Sequence, residues 1–475
     1  MVLELQPVIL AGGEGSKLFP LTDTIPKCLL PVGNKPMIWY PVQFLEKYGF
    51  QDFMVIVRKA SAEKIHEALR THCQESSKFQ MICIDDDEDI GTAEAMVLIK
   101  DKTKTDLLVV SSDMVTDLAL HRLVDTYRTY DATLCAVMAK RVDVHPQVEQ
   151  TKSNKKSKIT DPNVGTRDIV SIDPKENRLL FLSNEADLEQ ETISFTKSLL
   201  KKYPKMKIQS SLVDAHLYII KNWLLSYLAQ KPKYESLKSD FIPHVIHKQF
   251  SKPKVQSQQI QDSILEEENE GGEKTDKSAK DVFSFATADE LVTMTKEWSG
   301  YQGNCLKDPI KCYAYVSDDF CLRVNTLPAY TYINRQIVKM KDTLAPNTSY
   351  IRLPPSVVQG GKTQIGNDCI IGDSASFGTN VTIKKSMVGK SCIIGSNVRI
   401  TNSIIMNHVT IADGSTIQGC VICNHCQIGD NCSLTNCQVS GDQKVQENSE
   451  LKGQTITAQE MEFDDSDDDQ LDMMS

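Results

Sequence analysis

Cys392-Ile-Ile394-Gly-Ser-Asn-Val-Arg-Ile400-Thr-Asn-Ser-Ile-Ile405-Met-Asn-His-Val-Thr-Ile411-Ala-Asp-Gly-Ser-Thr-Ile417 carries one pattern over and over. A bulky aliphatic stands at Ile394, Ile400, Ile405, Ile411 and Ile417, and two residues before each stands a small one: Cys392, Val398, Ser403, Val409 and Ser415. The same step runs upstream through Val388, Ile383, Phe377 and Ile371 to Ile365, and downstream through Ile422, Ile428 and Leu434 to Val439. Steps are six residues with every third or fourth shortened to five, so from Ile383 onward the pattern closes after 17 residues. Three short strands per coil, each turning one large residue inward, make a parallel β-helix of hexapeptide repeats. Residues two apart on a strand share a face. The small residues therefore also point inward, where a narrow prism has room only for small side chains.

That register decides how the cysteines are read. Cys420, Cys423 and Cys426, with His425 and Cys432 nearby, have spacing that suits a zinc site. Six of the seven cysteines in the repeats, Cys369, Cys392, Cys420, Cys426, Cys432 and Cys437, fall on the small inward positions, and only Cys423 breaks the register. They are expected to pack as small hydrophobes rather than to hold metal.

Upstream of the repeats the period changes. Strand-like runs at Pro7–Leu10, Phe53–Val57, Met81–Ile84, Leu107–Val110 and Ala132–Met138 alternate with helical spacing over 37–48, 62–70, 92–99 and 118–127. This βαβ alternation predicts a doubly wound α/β domain around a largely parallel sheet. The runs over 168–181 and 212–220 read as strands appended to it. The expected organisation is an α/β domain over 1–335, with a mobile insertion at 251–281 that is too polar to offset its ordering entropy. A linker over 336–360, the β-helix over 361–452 and an acidic disordered tail over 453–475 complete it.

Length and charge narrow the function classes. The 475 residues exceed what one core usually supports. Eight of the ten net negative charges lie in Glu460–Ser475, which has no Lys or Arg. The remaining body is nearly neutral and lacks the global field that draws a protein to nucleic acid or anionic lipid. No direct nucleic-acid partner and no membrane partner are expected, since apolar runs fall far short of the roughly 18 to 20 residues a bilayer span needs. The N-terminus has no basic, apolar and cleavage-site pattern, so a cytosolic protein with reduced thiols is expected.

The first strand enters Leu10-Ala-Gly12-Gly13-Glu-Gly15-Ser-Lys17-Leu-Phe-Pro-Leu-Thr-Asp-Thr-Ile-Pro-Lys27, followed by Leu30-Pro-Val-Gly-Asn-Lys-Pro-Met37. Glycines after a strand let backbone amides approach a phosphate, and basic residues at the far end neutralise its charge. Over nearly thirty residues this stretch resembles the signature of the nucleotide-sugar pyrophosphorylases. Gly91-Thr-Ala93 resembles that family's base-recognition loop, Ser236–Pro243 resembles its later hallmark, and the solenoid is similar to its C-terminal domain. The resemblance implies that the β-helix is left-handed. It also implies nucleotidyl transfer to a sugar phosphate, with Mg²⁺ between carboxylates and phosphates.

Residue by residue, the means for that chemistry are altered. The family's charge-compensating Arg stands as Lys17, which keeps a point charge but loses the bidentate fork. Asp113 matches the first metal-binding carboxylate, with Ser112 where Gly usually precedes it. The family's Trp-x-Asp-Ile-Gly-Thr aligns with Cys321-Leu-Arg323-Val-Asn-Thr326, so the second metal ligand has become Arg323, a fixed cation. Its Glu-Lys-Pro aligns with Ser183-Asn-Glu185 and its Asn-Ala-Gly with Asp214-Ala-His216. A retained fold without turnover is expected, with no cofactor, no catalytic residue and no metal. Gly12, Gly13, Gly15, Lys17, Lys27, Gly91 and Asp113 would be remnants of a nucleotide site.

Together with Cys28–Glu46, these departures resemble the degenerate branch of the family found in the guanine-nucleotide exchange assembly of translation initiation. That branch pairs with an epsilon subunit and the other subunits of the complex, and acts with the initiator-tRNA-carrying GTPase. After Val439 the chain has too little left for epsilon's helical exchange domain, which favours the gamma type. An active or regulatory pyrophosphorylase subunit stays open, as does a hexapeptide acyltransferase using His408 or His425.

Overall fold

The computed structural model describes residues 4–86, 90–141, 167–187, 193, 195–251, 282–288, 309–344 and 353–457. Nearly all of the expected insertion and the acidic tail from residue 458 lie outside them.

The N-terminal part is built on seven strands: β1 (Leu5–Leu10), β2 (Asp52–Arg58), β3 (Lys78–Ile84), β4 (Asp106–Ser111), β5 (Leu134–Lys140), β6 (Leu212–Ile220) and β7 (Cys312–Ser317). They lie in the order β7-β5-β6-β4-β1-β2-β3. All neighbours are parallel except β6, which runs antiparallel to both β4 and β5. The helices α1 (Trp39–Lys47), α2 (Lys59–His72) and α3 (Leu120–Tyr130) supply crossovers. Apolar clusters cover both faces, one around Val109, Tyr218 and Phe241 and the other around Ile9, Val55 and Leu217. The doubly wound expectation therefore holds, because the short unbroken apolar runs are those of strands buried on both sides.

One expectation is corrected. The strand over 212–220 is not appended to the sheet but lies inside it, and its burial on both faces explains why it is almost wholly apolar. Asp168–Ile172 and Leu179–Asn184 leave the main sheet altogether and form a separate three-stranded sheet with Ile208–Gln209.

The helix α4 (Leu327–Leu344) runs through residue 335 into the stretch expected as linker. Its Tyr330, Ile333, Ile337 and Leu344 recur at three-, four- and seven-residue steps and are buried. Beyond it come three six-stranded parallel sheets, the sides of a prism. The first strand is Val358–Gln359 and the last Thr455–Ile456, so the coils begin before residue 361 and continue past 452. Register partners are 17 residues apart from Ser376 onward, as in Ile383↔Ile400↔Ile417↔Leu434. The expected inward residues form one continuous core that includes Cys369, Cys392, Cys420, Cys426, Cys432 and Cys437. Corners need one residue with positive φ, and Asn380, Asn397, Asn402, Asn431, Asn436 and Asn448 supply it, as asparagine tolerates that conformation better than most.

One side of the prism is turned against the α/β domain. Its outward residues Ile370, Met387, Ile404 and Val421, together with Met406 and Cys423, pack in one cluster with Leu18, Trp39, Tyr330 and Ile333. The Asn34 side chain donates to the Val388 carbonyl at 2.9 Å, and the Ser440 hydroxyl donates to Asp23 at 3.1 Å.

Candidate functional site

The site is assembled by two short pairings beside the sheet. Cys321–Arg323 lies antiparallel to Met114–Thr116 with Arg323 opposite Met114, and the Val324 amide donates to the Asp113 carbonyl at 2.8 Å. This register sets the guanidinium against the Asp113 carboxylate, in the turn just after β4. From the other side, a 3-10 turn over Lys27–Leu29 brings in Lys27. The result is a buried ion cluster: Lys27 Nζ donates to Asp113 Oδ2 at 2.6 Å, while Arg323 Nη2 and Nε donate to Oδ2 and Oδ1 at 3.0 and 3.3 Å.

Asp113 is fully buried. Burial works to raise its carboxyl pKa, but Arg323 and then Lys27 outweigh that and hold it well below the ordinary carboxylate range. The third member is His216. A bulge in β6 between Asp214 and Tyr218 puts His216 in left-handed backbone, φ 54°, where the resemblance sets a glycine. Its ring Nε2 lies 2.8 Å from Arg323 Nη1. A guanidinium can only donate, so Nε2 accepts and the ring is neutral. Burial, and then the Arg323 charge, push its pKa well below that of an ordinary histidine.

A second cluster stands on the opposite wall. Asp168 pairs with Lys238 at 2.9 Å and also accepts from the Asp214 amide and the Asn184 side chain. Asp214 is bonded by the Tyr218 hydroxyl; burial raises the pKa of both the Asp214 carboxyl and, with the Asp214 charge, the phenol. Asn184, which the resemblance sets where that family holds a phosphate with Lys, brings no charge.

Between the clusters lies a cleft lined by Gly15, Lys17, Lys27, Lys238, His216 and Arg323 among others. Of the residues singled out in the sequence, Gly15, Lys17, Lys27 and Arg323 are brought to this one wall, and Asp113 sits behind Lys27 and Arg323. Gly12, Gly13 and Gly91 are not on the lining. Gly15 has φ 80°, and a Cβ there would lie 2.9 Å from Thr22. A Cβ on Gly91 would stand 2.2 Å from the Glu235 carbonyl oxygen. The reason is that the two family segments are stitched together: the Ala93 amide donates to Glu235 and the Leu237 amide to the Thr92 hydroxyl. Sequence reasoning missed Asp168, Lys140, Arg141 and Arg167 as site residues, because charges at strand ends read as solvated until the sheet edges are known.

The residues do not fit the divalent cation that the resemblance implies. The one carboxylate at the matching position already accepts from two fixed cations, and the other position is itself a cation. Among the described residues no group of three or more His, Cys, Asp or Glu side chains could hold a metal ion. In the solenoid, burial pushes the Cys420 thiol up to about 12 and the Cys426 thiol up to about 11, which disfavours the thiolate that zinc requires. Among the described residues no helix is long and apolar enough to cross a membrane.

Known proteins agree with both halves. Residues 6–149 match the nucleotidyl transferase family model, and residues 349–451 match the LbH, left-handed β-helix, domain of eIF2B subunit epsilon. Translation initiation factor eIF2B subunit gamma of Dictyostelium discoideum is 29% identical over 409 residues, 81% of this chain and 87% of that protein. The gamma subunit of Schizosaccharomyces pombe is 27% identical over 388 residues, 80% of this chain and 74% of its own length. That of Caenorhabditis elegans is 32% identical over 250 residues, 52% of this chain and 59% of its own. An alignment over four fifths of the chain must run from the sheet into the solenoid, so the chain is similar to the eIF2B gamma subunits along this whole course.

Proposed function

We propose that this chain is a non-catalytic subunit of the guanine-nucleotide exchange complex of translation initiation. It pairs with the epsilon subunit, joins the other eIF2B subunits in the cytosol, and helps to hold the initiator-tRNA-carrying GTPase while GDP is replaced by GTP. Its own cleft does not transfer nucleotidyl groups.

The observation that carries this reading is the pairing of Arg323 and Lys27 on Asp113. In-line transfer at a phosphorus atom rests on positioning and on neutralising charge, for which the enzymes of the resembled family use a metal between carboxylates. Here a metal would have to displace two cations from a buried carboxylate and then sit beside a guanidinium, at a Coulomb cost that low dielectric magnifies. Gly12, Gly13, Gly15, Lys17, Lys27, Gly91 and Asp113 are then the remains of a nucleotide site, of which Lys27, Asp113 and Gly91 now take part in contacts that hold the fold together.

Two assays test the proposal. The purified chain, incubated with nucleoside triphosphates, hexose 1-phosphates and Mg²⁺, is expected to release no pyrophosphate above background. Affinity purification of the tagged chain is expected to bring down epsilon, and the eluate to accelerate GDP release from the GTPase. Metal-dependent pyrophosphate release, or co-purification with sugar-nucleotide enzymes and no accelerated release, would overturn it.

A further inference from the structure

One lysine at the seam between the two domains is set apart by what surrounds it. Lys35 follows a two-residue hairpin turn, Gly33-Asn34, in which both residues have positive φ, 56° and 63°, as a type I′ turn requires. The turn is pinned from two sides: the Gly33 amide donates to the Asn334 side chain of α4 at 2.9 Å, and Asn34 holds the Val388 carbonyl of the solenoid. Lys35 Nζ is thereby carried to the end of α2, 3.5 Å from His72 Nδ1 and 5.6 Å from the centre of the Trp39 ring. Trp39 also fixes the place of His72, since its indole donates to the His72 carbonyl at 2.9 Å.

These contacts put a primary amine among groups that disfavour its charge. The Lys35 ammonium only donates, so His72 Nδ1 accepts and the imidazole is neutral. Burial, and then the charges of Lys35 and Lys390, push the His72 pKa down to about 4. Lys390 stands on a solenoid corner two residues past Val388, and it acts on Lys35 as well. Burial, and then Lys390, hold the Lys35 ammonium below the ordinary lysine range, against smaller opposite pulls from Cys73 and Asp373. Cys73 is itself kept neutral by burial. Lys35 is half-buried and Lys390 exposed, so a solute reaches both. A lysine desolvated beside a second cation is a common form of activated amine nucleophile.

We propose that Lys35 is a modification site, a nucleophilic lysine that takes an acyl group from an acyl phosphate, with His72 as proton acceptor and Lys390 as the cation that receives the phosphate. The ammonium first loses one proton to solvent. The freed lone pair attacks the acyl carbon; the C–N bond forms, the acyl C–O bond breaks, and the bonding pair leaves with the phosphate beside Lys390. The second proton passes from Nζ to His72 Nδ1 and on to the departing phosphate, leaving an amide and inorganic phosphate. His72 accepts it because the same transfer removes the Lys35 charge that depresses the imidazole. The amide is neutral, so acylation takes one cation out of the seam between hairpin and solenoid. The inference is independent of the exchange-complex reading, since it concerns the chemistry of one side chain.

Acetyl phosphate is the probe. The full chain is incubated with it across a range of pH, and the acetylation of each lysine is followed by mass spectrometry. At neutral pH Lys35 is expected to react about tenfold faster than Lys64, an exposed lysine on the same helix as His72, because each unit by which a lysine pKa falls raises its free-amine fraction tenfold. Lys390→Ala should slow Lys35 about threefold and move the midpoint of its rate against pH upward. His72→Asn should slow it at every pH, the mark of a lost proton acceptor. Lys390 is exposed on its corner, so its substitution leaves the fold intact and the rate readable. Lys35 reacting no faster than Lys64, or at a rate unchanged by either substitution, would overturn the proposal.

Discussion

At residue scale, Arg323 is a structural cation held against Asp113. It satisfies Asp113 and orients His216, so removing it leaves a buried carboxylate with Lys27 alone and a neutral imidazole without its donor. Arg323→Ala is expected to destabilise the folded chain by roughly 3 to 5 kcal/mol, read as a lower denaturant midpoint. The same cluster makes stability depend on pH, and the sign can be worked out. His216 has a folded pKa far below its unfolded value near 6.5, so below that pH the unfolded chain binds a proton the folded chain refuses. Stability is then lost as pH falls, by about 1.4 kcal/mol per pH unit from this group alone. Asp113, also depressed, adds its own loss only below about pH 4. Chemical denaturation at pH 7.5 and 5.5 should show a smaller difference for His216→Asn, which keeps a residue tolerant of left-handed backbone. An unchanged difference would show that His216 titrates normally.

At the scale of elements, each coil of the solenoid rests on one large inward side chain per side. Ile400 and Ile417 are stacked in register and fully buried, so Ile400→Ala should cost about 2 to 5 kcal/mol. Arg399, beside it on the outward face, should tolerate Ala within about 0.5 kcal/mol, and equal effects at the two positions would refute the register. His408 and His425 stack on successive corners with ring centroids 5.0 Å apart, one more ladder of the coil. Because the inward cysteines pack as hydrophobes, a strong zinc chelator should leave the melting temperature unchanged. In the α/β domain, Gly91→Ala forces the Glu235 backbone aside and is expected to cost about 1 to 3 kcal/mol. A neutral outcome in thermal unfolding would mean that the two segments are not held as tightly as their hydrogen bonds indicate.

Across the whole molecule, the solenoid and the α/β domain share a core. Met406 and Cys423 are fully buried, and both lie between the prism and α4. Met406→Glu would bury an unpaired charge there and should split one unfolding transition into two, with the solenoid surviving the first. A single undivided transition would argue against two separable units. The sequence by itself determined the solenoid, because a narrow prism admits one large and one small side chain per strand and that demand repeats every 17 residues. It also determined the doubly wound sheet, through short apolar runs alternating with helices, and it marked Lys27, Asp113 and Arg323, whose residue types depart from or keep a recognisable motif. The doubled aliphatics Ile370-Ile371, Ile404-Ile405 and Val421-Ile422 lie on the docked side, but Ile393-Ile394 is doubled too with Ile393 exposed, so only the inward member of each pair follows from the repeat. Tertiary structure alone decided the place of β6, the pairing of Asp168 with Lys238, and the hydrogen bonding of Arg323 to both Asp113 and His216. Those contacts join residues about 70 to 210 positions apart. No local periodicity encodes such a pairing: it comes from how strands order themselves when two apolar faces must both be covered.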